Sequence, residues 1–210
     1  MKKIVITQRL EECFEYSEVR SSLDINYYKL LVEAGFFPII LPYDINICEY
    51  LDKLDIDGIL LTGGNDLYSQ NNNILSKKRD IFEKKLVEYS IINNIPLLGI
   101  CRGMQIIAEY FGSTLKKVSN HVNKIHKISV NKESVYYENI KKLKEVNTFH
   151  NYGIEKLSEE LQISAVSEDG IIEALEHRTL LLFGQMWHSE RVKPFNKNEI
   201  NLIQNIFNSK

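Results

Sequence analysis

Short apolar runs alternate along the chain with amphipathic, lysine-rich segments. This alternation is typical of a sheet flanked by helices. Strands are predicted at residues 3–7, 37–41, 58–62, 96–100, 127–131, 171–175 and 181–186. The stretch 97–100 is apolar on both faces, which is typical of a central parallel strand. The pattern therefore predicts a layered α/β domain.

Four segments have helical periodicity. In residues 22–34, the apolar positions at about helical spacing are Ile25, Tyr28, Leu31 and Val32. Gly35 follows where this helix would stop. Further helices are predicted at residues 77–93, 102–111 and 198–207. Residues 118–145 are rich in Lys, Asn and His and are predicted to be the least regular part of the chain.

Composition and charge exclude several classes of protein. The 210 residues include 26 Lys and Arg against 28 Asp and Glu, and 44% of them are hydrophobic. Such a chain is too apolar to be disordered and too evenly charged to be a strongly basic nucleic-acid-binding protein. Because it has neither a signal-peptide core nor a stretch long enough to span a membrane, we expect a cytoplasmic protein without a membrane partner. At this length we expect no second catalytic domain.

The three cysteines differ in their surroundings. They form no CxxC pair, so neither a disulfide framework nor a cysteine zinc site is expected. Cys101 lies in the turn Gly-Ile-Cys-Arg-Gly between an apolar strand and a helix, where a strained backbone would lift its side chain clear of the sheet and the helix N-terminus would favour a thiolate. If Cys101 were only a small buried apolar residue, the flanking glycines would lack a purpose. Cys101 is therefore predicted to be reactive, and Cys13 and Cys48 to be bystanders.

A thiolate needs a base and an orienting group. Of the five histidines, His188 follows directly on a predicted strand, in the segment Trp-His-Ser-Glu. If the extended geometry continues, Glu190 points to the same side and can hold the far ring nitrogen of His188. The sequence thus indicates a Cys101, His188, Glu190 triad. Taken alone, His188 could equally be a surface histidine beside a solvated carboxylate.

An oxyanion hole would need two backbone N–H groups. The N–H of Arg102, first in its helix, is one candidate. The glycine-rich turn at residues 60–66 follows another predicted strand and could bring a second N–H close to a ligand. A Gly-Gly pair in this position is also common in plain turns.

Six segments along the chain carry a family resemblance. They are residues 28–42, 61–66 (LTGGND), 79–83 (RDIFE), 96–105 (PLLGICRGMQ), 146–150 (VNTFH) and 184–190 (GQMWHSE). With these motifs in this order, the chain resembles the class I glutamine amidotransferases, and more specifically the gamma-glutamyl hydrolase branch, peptidase C26. The resemblance implies a single flavodoxin-like domain over residues 1–210, with a mostly parallel central sheet.

The resemblance also implies roles for individual residues. Cys101 would be the nucleophile, His188 the base and Glu190 its support, with the N–H groups of Gly64 and Arg102 as the oxyanion hole. Substrate contacts are implied for Gly63, Asn65, Gln105, Asn147, Thr148, Phe149 and His150. For Gln105 and His150, support of the turn around Cys101 without ligand contact is an equally open interpretation.

Some positions that match the family pattern, and some that differ from it, change this picture. Arg79, Asp80 and Glu83 match the family, but because they open a helix we interpret them as structural, in helix docking or a salt bridge. Ser189 replaces the usual Pro and is expected to loosen its turn without disrupting the triad. The loop at 66–79 and the region 118–145 are short for this branch, which favours a reduced rim around the site and an unusual leaving group.

The sequence therefore predicts a cysteine-dependent hydrolase that cleaves a gamma-glutamyl amide or amidate bond, a C–N bond other than a peptide bond, and releases glutamate without a metal or organic cofactor. Gamma-glutamyl-CDP-amidate, in capsule phosphoramidate synthesis, is one substrate that the resemblance leaves open. The alternative is a glutaminase subunit that delivers ammonia to a separate synthase, although the 28–42 and 79–83 motifs favour the hydrolase. Retention of Cys, His and Glu together argues against a degenerate binding protein. The expected partner is a small-molecule gamma-glutamyl substrate, not nucleic acid, and a homodimer stays open.

Overall fold

The computed structural model describes residues 1–209. The strands are β1 (Lys3–Ile6), β2 (Arg9–Cys13), β3 (Glu18–Ser22), β4 (Phe37–Ile40), β5 (Gly58–Leu61), β6 (Leu97–Ile100), β7 (Thr114–Lys117), β8 (Val122–Val130), β9 (Glu145–Phe149), β10 (Tyr152–Lys156), β11 (Leu161–Ser167), β12 (Ile172–His177) and β13 (Leu182–Gln185). The helices are α1 (Ile25–Glu33), α2 (Ile47–Leu54), α3 (Tyr68–Asn71), α4 (Ile74–Asn93), α5 (Arg102–Tyr110), α6 (Tyr137–Ile140) and α7 (Lys197–Asn208), with a 3-10 turn at Ser189–Arg191. Among these helices, none has the length and hydrophobicity needed to cross a membrane.

Across the described residues, nine strands form one sheet in the order β4-β1-β5-β6-β13-β12-β11-β8-β9. Neighbouring strands from β4 to β13 are parallel, and the pairings from β13 to β9 are antiparallel. Seven strands (β4, β1, β5, β6, β13, β11 and β9) therefore point the same way. This topology confirms the predicted α/β fold with a mostly parallel sheet.

The two faces of the sheet bury separate apolar layers. Along β1, Ile4 and Ile6 face one layer and Val5 faces the other, as the two-residue period of a strand requires. Helices α1 and α7 cover the first layer, and α2, α4 and α5 cover the second. Because both faces are covered, β5, β6 and β13 are buried at every position. The carboxyl ends of these central strands carry the segments with chemistry.

The predicted apolar face of α1 is wrong. Ile25 and Val32 are exposed, whereas the buried side chains are Tyr27, Leu30 and Leu31. The helix is rotated relative to the predicted face, because the spacing 27, 30, 31 packs on the sheet. The rotation brings the Tyr27 hydroxyl to the site described below.

All seven predicted strands and four predicted helices occur, with shifted ends. The region 118–145, predicted to be the least regular, has half of its residues in regular elements, namely β8, α6 and the first residue of β9. The side chains of β8 are exposed or half-buried throughout, so its sequence lacks a clear apolar alternation. Its geometry comes from backbone pairing with β9 and β11. The β2–β3 hairpin is likewise mostly exposed and was not predicted.

Candidate active site

Cys101 stands in a strained turn between β6 and α5. Its φ of 53° and ψ of −105° are unusual for a residue with a side chain, and such a conformation costs on the order of 1–3 kcal/mol. The strand and helix approach so closely here that a Cβ on Gly99 would collide with the backbone of Gly103, and one on Gly103 with the carbonyl of Leu61. The flanking glycines are therefore required by the close approach of the two elements.

His188 and Cys101 meet at Gly63. A Cβ on Gly63 would lie 3.0 Å from Cε1 of His188 and 3.6 Å from Cβ of Cys101, so any side chain here would press on both groups. Nδ1 of His188 lies 2.6 Å from Oε1 of Glu190, and both side chains are buried. The bond to Glu190 directs the other ring nitrogen, Nε2, away from the carboxylate. The structure thus brings together the three residues of the predicted triad.

The charge state of His188 follows from its neighbours. Burial lowers the pKa of His188, but the charges of Cys101 and Glu190 and the hydrogen bond to Glu190 outweigh burial and raise it to about 9. An imidazolium is consequently the main form at neutral pH. Such a group can hold a thiolate and then protonate a departing nitrogen.

Glu190 reaches His188 through a route that differs from the predicted one. The chain does not continue as a strand after His188 but turns into the 3-10 segment Ser189–Arg191. Asn147 holds this turn, since its Oδ1 accepts from the backbone N–H of His188 at 2.7 Å and its Nδ2 donates to the His188 carbonyl at 2.9 Å. The turn, rather than the two-residue period of a strand, sets the imidazole–carboxylate contact.

Ser189 links its turn to two neighbouring elements. Its buried hydroxyl accepts from Nε2 of Gln185 and donates to Glu199, both at 2.7 Å. Glu199 also accepts from the indole N–H of Trp187 at 3.0 Å. These hydrogen bonds tie the turn to β13 and α7 without a proline, and the expected loosening stays a prediction.

A buried ionic network supports the turn around Cys101 from below. The side chain of Arg102 forms ion pairs with Asp80 and Glu83, and Arg79 pairs with Glu83 at 2.9 Å. Nη2 of Arg79 also donates to the carbonyls of Thr62 and Gly63, at 2.7 and 3.1 Å. This confirms the structural interpretation of Arg79, Asp80 and Glu83, because the network joins α4 and α5 to the glycine-rich turn.

The backbone N–H groups of Gly64 and Arg102, like those of Gly103 and Met104, have no acceptor within the described residues. Gly64 has a φ of 114°, which a residue with a side chain rarely adopts. The N–H of Gly63, by contrast, donates to the hydroxyl of Tyr27 at 3.0 Å. The role of the Gly64 and Arg102 N–H groups as an oxyanion hole stays a prediction, which their lack of an acceptor fits.

Tyr27 is a site residue that sequence reasoning missed. Burial and the charge of Glu190 raise the pKa of Tyr27 well above its ordinary value, against the effect of the Gly63 N–H, so its hydroxyl stays protonated. Tyr27 belongs to the buried face of α1. The sequence signal for Tyr27 would have been the apolar helical face that it shares with Leu30 and Leu31.

Two clefts flank His188. The first has a volume of about 320 Å³ and is lined by Arg9, Ser22, Leu23, Asp24, Tyr27, Thr62, Gly63, Gly64, His188, Glu190 and Arg191. The second has a volume of about 560 Å³ and is lined by Asn123, Lys124, Ile125, Asn147, Phe149, Arg191 and Val192. Arg191 lines both clefts, and its guanidinium stacks 4.2 Å from the ring centre of Phe149. The β2–β3 hairpin and the segment after it supply a wall that the sequence did not reveal.

The expected substrate-contacting residues fall into two groups. Gly63 lines the first cleft, and Asn147 and Phe149 line the second. The side-chain amide nitrogens of Asn65 and Gln105 donate to backbone carbonyls, those of Leu10 and Tyr152. Neither residue lines these two clefts, so their contact with substrate stays a prediction, and the open supporting role of Gln105 fits its bond to β10.

Thr148 and His150 are buried and line neither cleft, so their contact with substrate stays a prediction. The buried hydroxyl of Thr148 donates to the carbonyl of His121 at 2.9 Å. His150 is buried with Nδ1 against the carbonyl of Tyr152 at 3.0 Å. Because adjacent residues of a strand point to opposite faces, Thr148 turns inward between the cleft-lining Asn147 and Phe149. His150 lies instead with His121 and Glu173, where one ligand atom from each residue falls within 4.8 Å of the others.

Known proteins match almost the whole chain. The family model for peptidase C26 matches residues 4–190. A gamma-glutamyl-CDP-amidate hydrolase of Campylobacter jejuni is 40% identical over 200 residues, which cover 94% of both chains. A glutamine-hydrolyzing GMP synthase subunit of Methanocaldococcus jannaschii is 26% identical over 173 residues, covering 82% of this chain and 85% of the relative. The crystal structure of a protein from Thermoplasma acidophilum, described as a GMP synthase subunit, has the same fold, with a TM-score of 0.72, 24% identity and coverage of 99% of this chain and 92% of that one.

Proposed function

The chain belongs to the peptidase C26 family, and from this membership we propose that it is a cysteine-dependent hydrolase of gamma-glutamyl-CDP-amidate that releases glutamate. The observation that carries the chemistry is the convergence of Cys101, His188 and Glu190 on Gly63, at the end of the central strands. The 40% identical relative over nearly its whole length supports the choice of substrate.

The reaction proceeds in two halves. The Cys101 thiolate attacks the γ-carbonyl carbon, a C–S bond forms, and the N–H groups of Gly64 and Arg102 stabilise the oxyanion. As the C–N bond breaks, the His188 imidazolium gives its Nε2 proton to the departing nitrogen. Neutral His188 then takes a proton from water, whose oxygen attacks the thioester. Glutamate leaves, and the Cys101 sulfur and the imidazolium are restored.

The leaving group fits the charge around the clefts. A cytidine diphosphate moiety carries phosphate charge, and guanidinium groups bind phosphate oxygens through paired N–H bonds. Arg9 lines the first cleft, and Arg191 lies between the two clefts, anchored by Phe149 and by an ion pair with Glu190 at 3.7 Å. We propose Arg9 and Arg191 as the residues that contact the diphosphate.

The alternative, a glutaminase subunit serving a separate synthase, is not favoured. The M. jannaschii relative whose name describes such a subunit is 26% identical, against 40% for the amidate hydrolase. We propose that the chain acts without a synthase on its small-molecule substrate. We also propose the cytoplasm as its location, where reducing conditions keep Cys101 available as a thiol.

Glutamate release by the purified chain tests the proposal. Gamma-glutamyl-CDP-amidate, glutamine and simple gamma-glutamyl amides are offered separately, without any partner protein. We expect robust turnover of the amidate and much slower turnover of glutamine. Activity on glutamine alone, appearing only after a synthase is added, would contradict the proposal. Cys101→Ala should abolish turnover, whereas Cys13→Ala and Cys48→Ala should retain it.

Two arginine variants test the leaving-group contact. Arg9→Ala and Arg191→Ala should each raise KM for the amidate by roughly ten- to a hundredfold, because a charge-assisted contact to phosphate contributes about 1.5–3 kcal/mol. Neither variant should change KM for a gamma-glutamyl amide without phosphate. Arg20→Ala is the matched control, since Arg20 lies on the same hairpin but lines neither cleft. An equal rise in KM for both substrate types would remove the phosphate role.

A further inference from the structure

Three buried side chains outside the triad form a cluster that the mechanism does not use. His121 precedes β8, His150 follows β9 and Glu173 lies in β12, and each is at most 3% exposed. Nδ1 of His121 and Nε2 of His150 lie 3.4 and 3.6 Å from Oε1 of Glu173. We call these residues the His2Glu cluster, and we propose that it binds a divalent transition metal ion of the Zn²⁺ type.

In His121 and His150, the ring nitrogen that points away from Glu173 determines the tautomer. Nδ1 of His150 lies 3.0 Å from the carbonyl oxygen of Tyr152, which can only accept, so this nitrogen carries the proton. Nε2 of His121 lies 3.0 Å from the carboxylate of Asp169, and the same argument places a proton there. In the neutral ring the second nitrogen then has a lone pair. Both lone pairs face the Glu173 carboxylate.

The inner atoms are left without partners in the protein. Within residues 1–209, neither Nδ1 of His121, nor Nε2 of His150, nor either carboxylate oxygen of Glu173 has a hydrogen-bond partner. Two nitrogen lone pairs against a buried carboxylate repel one another, and an uncompensated buried charge is strongly unfavourable. A cation at the centre would satisfy all four atoms. Distances of 3.4 and 3.6 Å are too long for good N–H···O bonds, which argues against a doubly protonated pair.

The donor set and its spacing indicate the class of metal. Two imidazole nitrogens with a carboxylate suit Zn²⁺ and similar ions, whereas Mg²⁺ and Ca²⁺ prefer oxygen donors throughout. Tetrahedral bonds of about 2.1 Å place neighbouring ligand atoms roughly 3.4 Å apart, close to the two distances from Oε1. Metal-binding histidines typically donate their other N–H to a carboxylate or a backbone carbonyl, the arrangement that His121 and His150 have with Asp169 and Tyr152.

The position of the cluster indicates a structural role for the ion. His150 follows directly on β9, the strand whose Asn147 holds the backbone of His188. The backbone carbonyl of Glu173 accepts from the N–H of Met186, two residues before His188. An ion in the cluster would therefore join β9 to β12 beside the catalytic turn. It would stabilise the turn without touching the substrate.

Metal uptake by the chelator-treated, tag-free protein tests the proposal. We expect one equivalent of Co²⁺ to bind, with the intense visible bands of a tetrahedral site and without a sulfur-to-cobalt charge-transfer band, and Zn²⁺ to raise Tm by several degrees. Glu173→Gln and His150→Ala should lose this binding. His126→Ala is the matched control, because its ring stacks on His121 at 4.4 Å but lies outside the cluster. Cys101→Ser should also keep the metal, which separates this site from the catalytic thiol.

Two results would overturn the metal site. One is a wild-type protein that takes up no Co²⁺ and has the same Tm with and without Zn²⁺. The other is bound Co²⁺ that shows a thiolate band and is lost with Cys101→Ser. Both results are measured on the wild-type protein or on Cys101→Ser. They therefore decide the question even if a variant of the His2Glu cluster fails to fold. Because metal content and spectrum are measured apart from turnover, failure here is distinguishable from failure of the proposed hydrolase.

Discussion

Two buried groups contain histidine and glutamate, one in the turn after β13 and the other formed by His121, His150 and Glu173, and the same residue types are held in opposite ways. In the triad, Nδ1 of His188 bonds to Glu190 at 2.6 Å, which leaves Nε2 available for Cys101. In the His2Glu cluster, the outer nitrogens are bonded elsewhere, and the free nitrogens face the carboxylate.

The difference teaches that the partner of one ring nitrogen decides what the other can do. A carboxylate that takes the N–H of an imidazole makes it a base or acid toward a third group. A carboxylate that faces only lone pairs can share a metal ion with them, which is what we propose for the His2Glu cluster. Burial and composition alone would not separate the two groups.

The largest expected effect comes from replacing one histidine of each group with asparagine. His188→Asn should lower kcat/KM roughly 10³- to 10⁴-fold, because it removes the group that carries the proton. His150→Asn should instead lower stability by on the order of 2 kcal/mol, because it opens a buried polar cluster, and should affect turnover far less. Steady-state kinetics and thermal unfolding of both variants check this. Equal losses of activity in two folded variants would break the comparison.

The carboxylate of the triad gives the next largest effect. Glu190→Gln should reduce kcat by about a hundredfold, because the neutral amide no longer stabilises the imidazolium and favours a different ring orientation. Glu176→Gln is a control of the same chemistry at a buried glutamate that bonds to Ser134 and Ser164, outside both groups. Unchanged kcat in Glu190→Gln, measured with saturating substrate, would remove Glu190 from the triad.

The pH dependence sharpens the comparison further. The raised pKa of His188, about 9, keeps the imidazolium at neutral pH, so kcat/KM should fall as the pH rises through about 9. The same proton stabilises the folded state. This stabilisation is fully present below the ordinary histidine pKa and is lost as the pH rises through about 9. In Cys101→Ala, NMR titration should show a lower pKa for His188, because the charge of Cys101 is gone. An unchanged pKa would mean that the sulfur does not pair with the imidazole.

The smallest expected effect concerns a buried carboxylate with no imidazole beside it. Burial raises the pKa of Glu199 to about 7, despite the hydroxyl of Ser189 and the indole N–H of Trp187. Because the folded state holds this proton more tightly, stability should fall by about 1 kcal/mol between about pH 6 and about pH 8. Glu199→Gln should remove that dependence, measured by urea unfolding at both pH values. Equal stability of the wild-type protein at the two pH values would contradict the raised pKa of Glu199.

The sequence was informative where local constraints are strong. The turn around Cys101 could be predicted because two glycines flank it, and the structure shows that neither has room for a side chain. The central strands could be predicted because burial on both faces requires apolar residues. The structural role of Arg79 was also predicted, although α4 begins five residues before the position that the prediction assumed to open a helix.

Other features depend on contacts between distant segments and leave no local signal. The β2–β3 hairpin is held by backbone pairing between mostly exposed residues, so no apolar alternation marks it. The 3-10 turn at Ser189–Arg191 depends on Asn147, which lies about forty residues before it, and on Glu199 in the next helix. The His2Glu cluster draws its residues from three strands or strand ends that lie far apart along the chain, so no local pattern marks it.

A trapped intermediate tests the central claim most directly. Wild-type protein is mixed with gamma-glutamyl-CDP-amidate, quenched in acid within the first turnover and digested for mass spectrometry. The account predicts the mass of one γ-glutamyl group on the peptide that contains Cys101, as the thioester, and its loss when the sample is allowed to turn over. Glutamate release with no adduct on that peptide, or with the adduct on Cys13 or Cys48, would contradict it.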